Sequence, residues 1–387
     1  MRRREFLAAT SAAALAPVAA RAQALPGQQQ FLQQLTIAVS VPLSGPLQDY
    51  GRQVVQGAQA AVDEANRYTA ISHVFGLRAL DDQNSGTVAT SNIAIAKADT
   101  SVVAMIGNLT LDVTLQALPQ YANANFALVI PTVTSDTLTS RGYHNIFRLP
   151  TKDSSEGRLF AQSVLYGRRN LVARAIVLDG STYGQDVAYG FVKQAKSDHH
   201  DADVIVLSKS PVDPANGAKT ILEHAPTYVY FCGKPSDLGP VADAMRVAGY
   251  KGDFGASDAF YTQETIDKYH ETLDGSFVAT ALPPLAHVPS QVAVLTDFQR
   301  EVQNISAFSA FGYAAAQLLI QASQRANATT RFSMLNTLQQ GGTYNLLVGQ
   351  YSFNFAGDAI LPDVYLYTIS KDGFTYKEPA FHTGYVV

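Results

Sequence analysis

Polar side chains recur directly after short apolar runs of this sequence. Asn108-Leu109-Thr110 follows the run 102–106, Thr132-Val133-Thr134 follows 127–130, and Tyr183 stands in Asp179-Gly180-Ser181-Thr182-Tyr183-Gly184 after 175–178. Hydroxyls and free amide groups at helix starts make a cradle for a polar ligand. Each residue alone also reads as a helix cap; their recurrence at corresponding strand ends points to a cleft. Motifs that carry bond-making chemistry are missing: there is no GxxxxGK[ST], no GxGxxG after the first strand, no HExxH, no GxSxG and no EF-hand loop. The pair His199-His200 beside Asp201 and Asp203 is a weak metal candidate. It reads better as a solvated loop, because neighbouring residues rarely point at one ion. Cys232 is the single cysteine, which excludes an intrachain disulfide, a cysteine zinc knuckle and an iron–sulfur cluster. It ends an apolar strand with no histidine close in sequence, so a buried structural thiol is expected. Binding rather than catalysis is expected, with no cofactor and no metal.

Elements that could position such residues alternate along the chain. The run 35–41 (LTIAVSV) is a buried-strand pattern ending in the turn cluster Pro42-Leu43-Ser44-Gly45-Pro46. Residues 51–68 then carry Val54, Val55, Ala58, Ala61, Val62 and Ala65 at helical spacing. Further strands are expected at 74–80, 102–106 and 127–130, with helices over 87–98 and 113–123 between them. The alternation restarts after 146–149. A helix opens at Asp153-Ser154-Ser155-Glu156, where Asp153 or Ser154 is expected to cap its first turn. Strands at 175–178, 204–207 and 228–232 alternate with helices at 184–195 and 237–249. The run 276–282 leads into a proline-bearing loop and helices at 291–302 and 308–326. Residues 345–367 read as antiparallel strands about a turn at Ala356-Gly357-Asp358. Strand–helix alternation argues for parallel sheets covered on both faces. The expected fold class is α/β, with two doubly wound lobes and a ligand cleft beyond the carboxyl ends of their strands.

The chain's 387 residues are enough for two or three domains and sizeable cores. With 28 Lys+Arg against 32 Asp+Glu the formal charge is −4, and no basic run lies outside the first residues, so no nucleic-acid partner is expected. Those first residues read as an address. Arg2, Arg3 and Arg4 precede an Ala-rich apolar run, followed by Ala20-Arg21-Ala22 and Ala22-Gln23-Ala24, two cleavage patterns of a signal peptide over 1–24. Arg3-Arg4-Glu5-Phe6-Leu7 resembles the twin-arginine export motif, with an ordinary secretory signal as the other reading. Cleavage near Ala22 or Ala24 would leave a more acidic, soluble protein in the periplasm. No later stretch approaches a membrane-spanning length, and no membrane attachment is expected.

Three segments together carry a family resemblance: VPLSGPLQDYGRQVVQGAQAAVDEAN, the run 130–157 (IPTVTSDTLTSRGYHNIFRLPTKDSSEG) and DGSTYGQ around Tyr183. They resemble the type I periplasmic substrate-binding proteins of ABC transporters, in the branched-chain amino acid (Leu/Ile/Val) binding family, over nearly the whole chain after the address. The resemblance implies a receptor that closes two lobes on a small ligand, most simply an amino acid or a related small amide or carboxylate. It also implies delivery to ABC permease subunits in the membrane, and a monomer. Three interlobe crossings are implied, placed near Leu149, Ser276 and Leu346. The N-terminal lobe would then comprise 33–149 plus 277–345, and the C-terminal lobe 150–276 plus 346–387. A sensor domain acting through a membrane partner is the runner-up; an enzyme on the same fold is a third reading, without a nucleophile–base pair to support it.

Carried over position by position, the resemblance implies that Tyr50 packs on the ligand, Leu109 forms an apolar wall, and Thr132 and Thr134 hold its ammonium and carboxylate. Tyr183 matches the tyrosine at the second lobe's helix start. Asp258 falls where the family has a glutamate that neutralises the ligand's α-ammonium. Leu111 replaces a serine that grips the carboxylate, and Lys234 replaces an aromatic residue. Together with Asn108 and Thr110 these form the expected ligand-binding set. Lys234 has three readings: a solvated loop lysine, a partner of Asp258, or a ligand-facing cation. Asp112 reads as a cap for the helix after it, and Phe308 as core. A buried Asp258 needs a cationic ligand end or Lys234 to offset its desolvation. The other ligand class open to this pocket is an aromatic acid.

Overall fold

The computed structural model describes residues 33–68, 73–167, 174–200, 202–207, 212–285, 292–302, 305–360 and 364–380. The expected signal peptide and Asp201 of the histidine cluster lie outside them. Among the described residues no group of three His, Cys, Asp or Glu side chains converges as a metal site would, and no helix is long and apolar enough to cross a membrane.

The first half builds a parallel sheet. Strands β1 (Gln33–Val41), β2 (His73–Asp81), β3 (Val102–Gly107), β4 (Ala127–Ile130) and β5 (Ile146–Arg148) pair in the order β2-β1-β3-β4-β5. Helices α1 (Gln48–Tyr68), α2 (Gly86–Ala98) and α3 (Leu111–Asn123) connect them. Residues 35–41 of β1 and all of β3 and β4 are buried, as strands covered on both faces must be. A second sheet follows α4 (Asp153–Gly167). It contains β6 (Arg174–Leu178), β7 (Asp203–Val206), β8 (Tyr228–Cys232), β9 (Asp253–Ala256) and β10 (Phe277–Thr280), with α5 (Thr182–Ser197), α6 (Pro214–Leu222), α7 (Pro235–Val247) and α8 (Gln263–Tyr269) between strands. The chain then supplies α9 (Val292–Glu301), α10 (Ala307–Ala326), α11 (Arg331–Gln339) and the hairpin β11 (Tyr344–Leu346) and β12 (Gly349–Tyr351). It ends in β13 (Val364–Ser370) and β14 (Gly373–Ala380). The second sheet has the order β14-β13-β10-β9-β8-β6-β7, with β13 and β14 antiparallel.

The chain leaves the first sheet after β5, and two other passages lie elsewhere than expected. The second is not at Ser276: the run after it pairs with β9 and β13, so β10 belongs to the second sheet and the passage follows Thr280. The third is not at Leu346. The β11–β12 hairpin folds Leu346, Leu347 and Val348, with Phe353 beyond it, onto the first core, so that core extends past residue 345. Across the expected turn at 356–358 runs only a single bridge, Phe353 to Ala359; the long antiparallel pair lies later, in β13 and β14.

Each half holds one helix pair packed backbone to backbone through reciprocal glycines. A Cβ on Gly57 of α1 would stand 1.9 Å from the Ser309 carbonyl oxygen of α10, and one on Gly312 of α10 2.3 Å from that of Val54 in α1. Gly157 of α4 and Gly190 of α5 are related in the same way, at 1.9 Å from Val187 O and 2.0 Å from Ser154 O. These contacts fix where the first turns of α1, α10, α4 and α5 stand. One buried cation ties the loops together. Arg148, 1% exposed, donates through Nε to Asp358 Oδ1 at 3.0 Å and contacts it again through Nη2. Its Nη1 donates to the carbonyls of Thr134 at 2.8 Å and Ser135 at 2.6 Å. Asp358→Ala would leave that guanidinium buried without its charge partner. Urea unfolding of this variant is expected to show a loss of about 3–5 kcal/mol; an unchanged midpoint would contradict the tie.

Candidate functional site

A cavity of about 220 Å3 opens beyond the carboxyl ends of strands from both sheets, a volume that suits one small molecule. Pro131, Thr132 and Thr134 reach it from the loop after β4, and Pro150 from the first passage. Asp258, Ala259, Tyr261 and Thr262 come from the loop after β9, Thr280 and Ala281 from the end of β10, and Ala307, Phe308 and Phe311 from α10. Neighbouring strands of one parallel sheet aim their carboxyl ends the same way, so residues distant in sequence meet there. The wall is aromatic and hydroxylated with one carboxyl, and among the described residues it includes no Lys, Arg or His.

The structure brings some of the expected residues together here. Thr132 and Thr134 line the cavity with Asp258. The Thr132 hydroxyl donates to the Leu109 carbonyl at 2.8 Å, fixing its orientation. The Thr134 carbonyl is already taken by Arg148 and by Asp153 N at 3.1 Å. Tyr183, at the start of α5, donates its hydroxyl to Asp258 Oδ1 and accepts from Ala259 N at 3.2 Å. Tyr50 stands beside the cavity with its ring 4.7 Å from that of Phe308. Phe308 itself, expected in the core, is a half-buried wall residue.

Four expected residues sit elsewhere. Asn108 is fully buried, donating to Asp82 Oδ2 at 2.8 Å and accepting from the Tyr121 hydroxyl at 3.2 Å. Leu109 packs in the first core. Thr110 donates to Asn84 Oδ1 at 2.7 Å, and Leu111 packs on the core beneath α3. None of the four lines the cavity. They are strand-end residues, but their side chains turn back to bind the connection after β2 or the helix layer. Lys234 is exposed at the start of α7; its backbone N donates to Asp179 Oδ2 at 3.1 Å, and no ion pair joins it to Asp258 among the described residues.

Asp153 and Glu156, in the segment expected only to open α4, stand close to Asp258. Asp153 is not a cap: Asp136 accepts from Ser154 N at 3.1 Å and Oγ at 2.5 Å, and neither Asp153 oxygen has a hydrogen-bond partner although the residue is 1% exposed. Glu156, 2% exposed, accepts from Asp258 N at 2.9 Å. The signal in the sequence was their spacing, since residues three apart share a helix face. Burial pushes both carboxyls well above the usual carboxylate range, and the neighbouring Asp258 adds to the shift. Burial also raises Asp258, against the opposing hydrogen bonds from Tyr183 and Glu156. Burial, then Asp258, raises the Tyr183 phenol. The Asp258 N–H bond to Glu156 holds the two carboxyls close, and the neighbouring Asp258 makes Glu156 harder to ionise.

Residues 34–373 match the family described as periplasmic binding protein. The Leu/Ile/Val-binding protein homolog 1 of Brucella melitensis is 23% identical over 337 residues, which cover 87% of this chain and 90% of that one. A solved leucine binding protein of Thermotoga maritima is 21% identical with a TM-score of 0.75, covering 89% of this chain and 98% of its own. An ABC transporter solute binding protein from R. palustris in complex with benzoate is 15% identical with a TM-score of 0.71, over 90% and 97%. At these identities the structural likeness speaks for the fold.

A carboxyl whose folded pKa is raised contributes stability that is fully present below its ordinary value, near 4.5 for Glu156, and is lost as pH rises through the folded value. Glu156→Gln keeps the oxygen that accepts from Asp258 N and removes the titration. In the ligand-free protein its unfolding free energy is expected to gain on that of the natural chain as pH rises from about 4.5 toward 8. Denaturant melts at several pH values measure this; a difference that stays constant with pH would contradict a Glu156 carboxyl raised by burial.

Proposed function

As the chain belongs to the periplasmic binding protein family and has its two-sheet α/β fold, we propose that it is the substrate-binding receptor of an ABC importer, closing two lobes over one small molecule at Asp258. The observation that carries this reading is the cavity itself, walled by loops from both sheets with the Asp258–Tyr183 pair at one end and aromatic side chains around it. Family and fold are those of receptors rather than enzymes. In this reading Thr132, Thr134, Tyr183 and Asp258 hold the ligand's polar end, and Tyr50, Phe308 and Tyr261 its apolar body. Residues 1–24 are the export signal, the periplasm is the site of action, and permease subunits receive the ligand from a monomeric receptor. We assign residues 33–149 and 281–360 to one lobe and the remainder of the exported chain to the other, following the sheets and cores.

The ligand class that suits the wall is an amino acid or related small molecule with a cationic or N–H-donating end. An aromatic acid suits the rings but would set its carboxylate against Asp258 with no cationic side chain among the described wall residues. Thermal unfolding of ligand-stripped protein against amino acids, amides, amines and aromatic acids tests the proposal. A true ligand at 100 times its dissociation constant adds about 2.7 kcal/mol, a shift of several degrees. Asp258→Ala is expected to abolish that shift. Consumption of the ligand during the assay, or a shift that survives Asp258→Ala, would count against the receptor reading or its site.

A further inference from the structure

Three acidic groups converge behind one end of the cavity. Asp258 lines it, Glu156 receives the Asp258 backbone N–H, and Asp153 donates its own N–H to the carbonyl of the wall residue Thr134. The buried Asp153 carboxylate keeps both oxygens without a hydrogen-bond partner, and so do the buried hydroxyls of Ser257 and Tyr230. None of these three is among the residues that line the cavity, where Asp258 supplies the carboxyl. The buried cation nearby is spent, since the Arg148 guanidinium is divided between Asp358 and the carbonyls of Thr134 and Ser135. Lys152 reaches Asp136 and Asp358 at 3.9 Å, and Lys234 is exposed. The amide groups that begin α3 could have met a ligand carboxylate, but Thr110 and Leu111 do not line the cavity.

We propose that this site selects ligands with net positive charge, an amine on a compact apolar or aromatic body, over the zwitterionic amino acid of the same shape. The proposal rests on the receptor reading above and narrows its ligand. If Glu156 and Asp258 share one proton, the pair carries one negative charge, and a monocation brings the pair to neutrality. A zwitterion leaves that negative charge in place and adds a carboxylate that no cation among the described wall residues receives; a carboxylic acid without an amine is worse still. Glu156 is the specificity-determining residue, because it makes the acid end a pair rather than a single carboxylate.

The test uses matched probes on the ligand-stripped mature protein: 3-methylbutylamine, leucine and 4-methylpentanoate, then phenethylamine, phenylalanine and 3-phenylpropionate, titrated calorimetrically at pH 7. In at least one trio the amine is expected to bind at least about tenfold more tightly than the amino acid, a difference of about 1.4 kcal/mol, with the acid weakest. Glu156→Gln is expected to shrink the amine-to-amino-acid ratio while leaving a measurable ligand affinity. Equal or tighter binding of leucine or phenylalanine overturns the proposal and leaves the receptor reading intact. An unchanged ratio in Glu156→Gln overturns the role of that residue. If none of the six probes binds a protein that melts cooperatively, the proposal falls; if the wider panel also gives no shift, the receptor reading falls with it.

Discussion

Burying a carboxyl away from water without a cation is expensive, and Asp153 and Glu156 both do this close to the half-buried Asp258 that lines the cavity. The architecture near them works to make that tolerable. Asp153 and Glu156 occupy the first turn of α4, where the free amide groups and the helix dipole favour negative charge. The Asp258 backbone donates to Glu156, and Tyr183 donates to Asp258. For these groups to meet, α4 and α5 must approach more closely than any residue larger than glycine permits at positions 157 and 190. What remains uncompensated is an excess of negative charge at the cavity's end, which a cationic ligand would complete.

The opposite wall is built on different terms. The loop carrying Thr132 and Thr134 is held from behind by the Arg148–Asp358 pair and by the Thr132 hydroxyl on Leu109 O. Asn108, Asp82, Tyr121 and Ser40 form a buried polar network under the start of α3. Fully satisfied networks of this kind fix one loop conformation, and losing one member leaves another unpaired. The first half of the chain thus presents a stiff, mostly neutral surface, and the second half presents the acidic groups. A ligand between them bridges two separately stabilised cores, which is the physical basis of lobe closure in the receptor reading.

Much of this fold was legible in the sequence, because parallel strands covered on both faces must be near-continuous apolar runs. The runs at 35–41, 102–106, 127–130 and 228–232 all became strands of the expected kind. The helix α6 has nine residues with an Asn-Gly inside it, α8 has seven, and β9 is a four-residue strand containing glycine; none carries enough pattern to stand out. The capping pairs Ser306/Ser309 and Thr330/Ser333 mark the starts of α10 and α11, but serine at the fourth position is a weaker signal than the usual Glu or Gln. In the site, Thr132 and Thr134 follow directly from a strand end, whereas Asp258 follows from the family resemblance, because β9 before it carries too little pattern. Asn108, Thr110 and Leu111 occupy the same kind of position and turn away, since strand-end placement fixes where a backbone goes and not where its side chain points. Asp153 and Glu156 were hidden because an acidic helix start has a sufficient local explanation, and only the partner loop after β9 reveals a second one.

The most direct test of the acidic end counts protons. Calorimetric titration of whichever amine or amino acid binds, repeated near pH 7 in buffers of different ionisation enthalpy, gives the number of protons exchanged on binding. Arrival of an ammonium lowers the pKa of both carboxyls, so a pair neutralised with its one proton kept is predicted to exchange close to none at about pH 7 and to release a growing fraction of a proton as the pH rises toward about 8. Proton uptake, or binding with no exchange at any pH between about 5 and 8, would contradict a ligand-completed carboxyl pair.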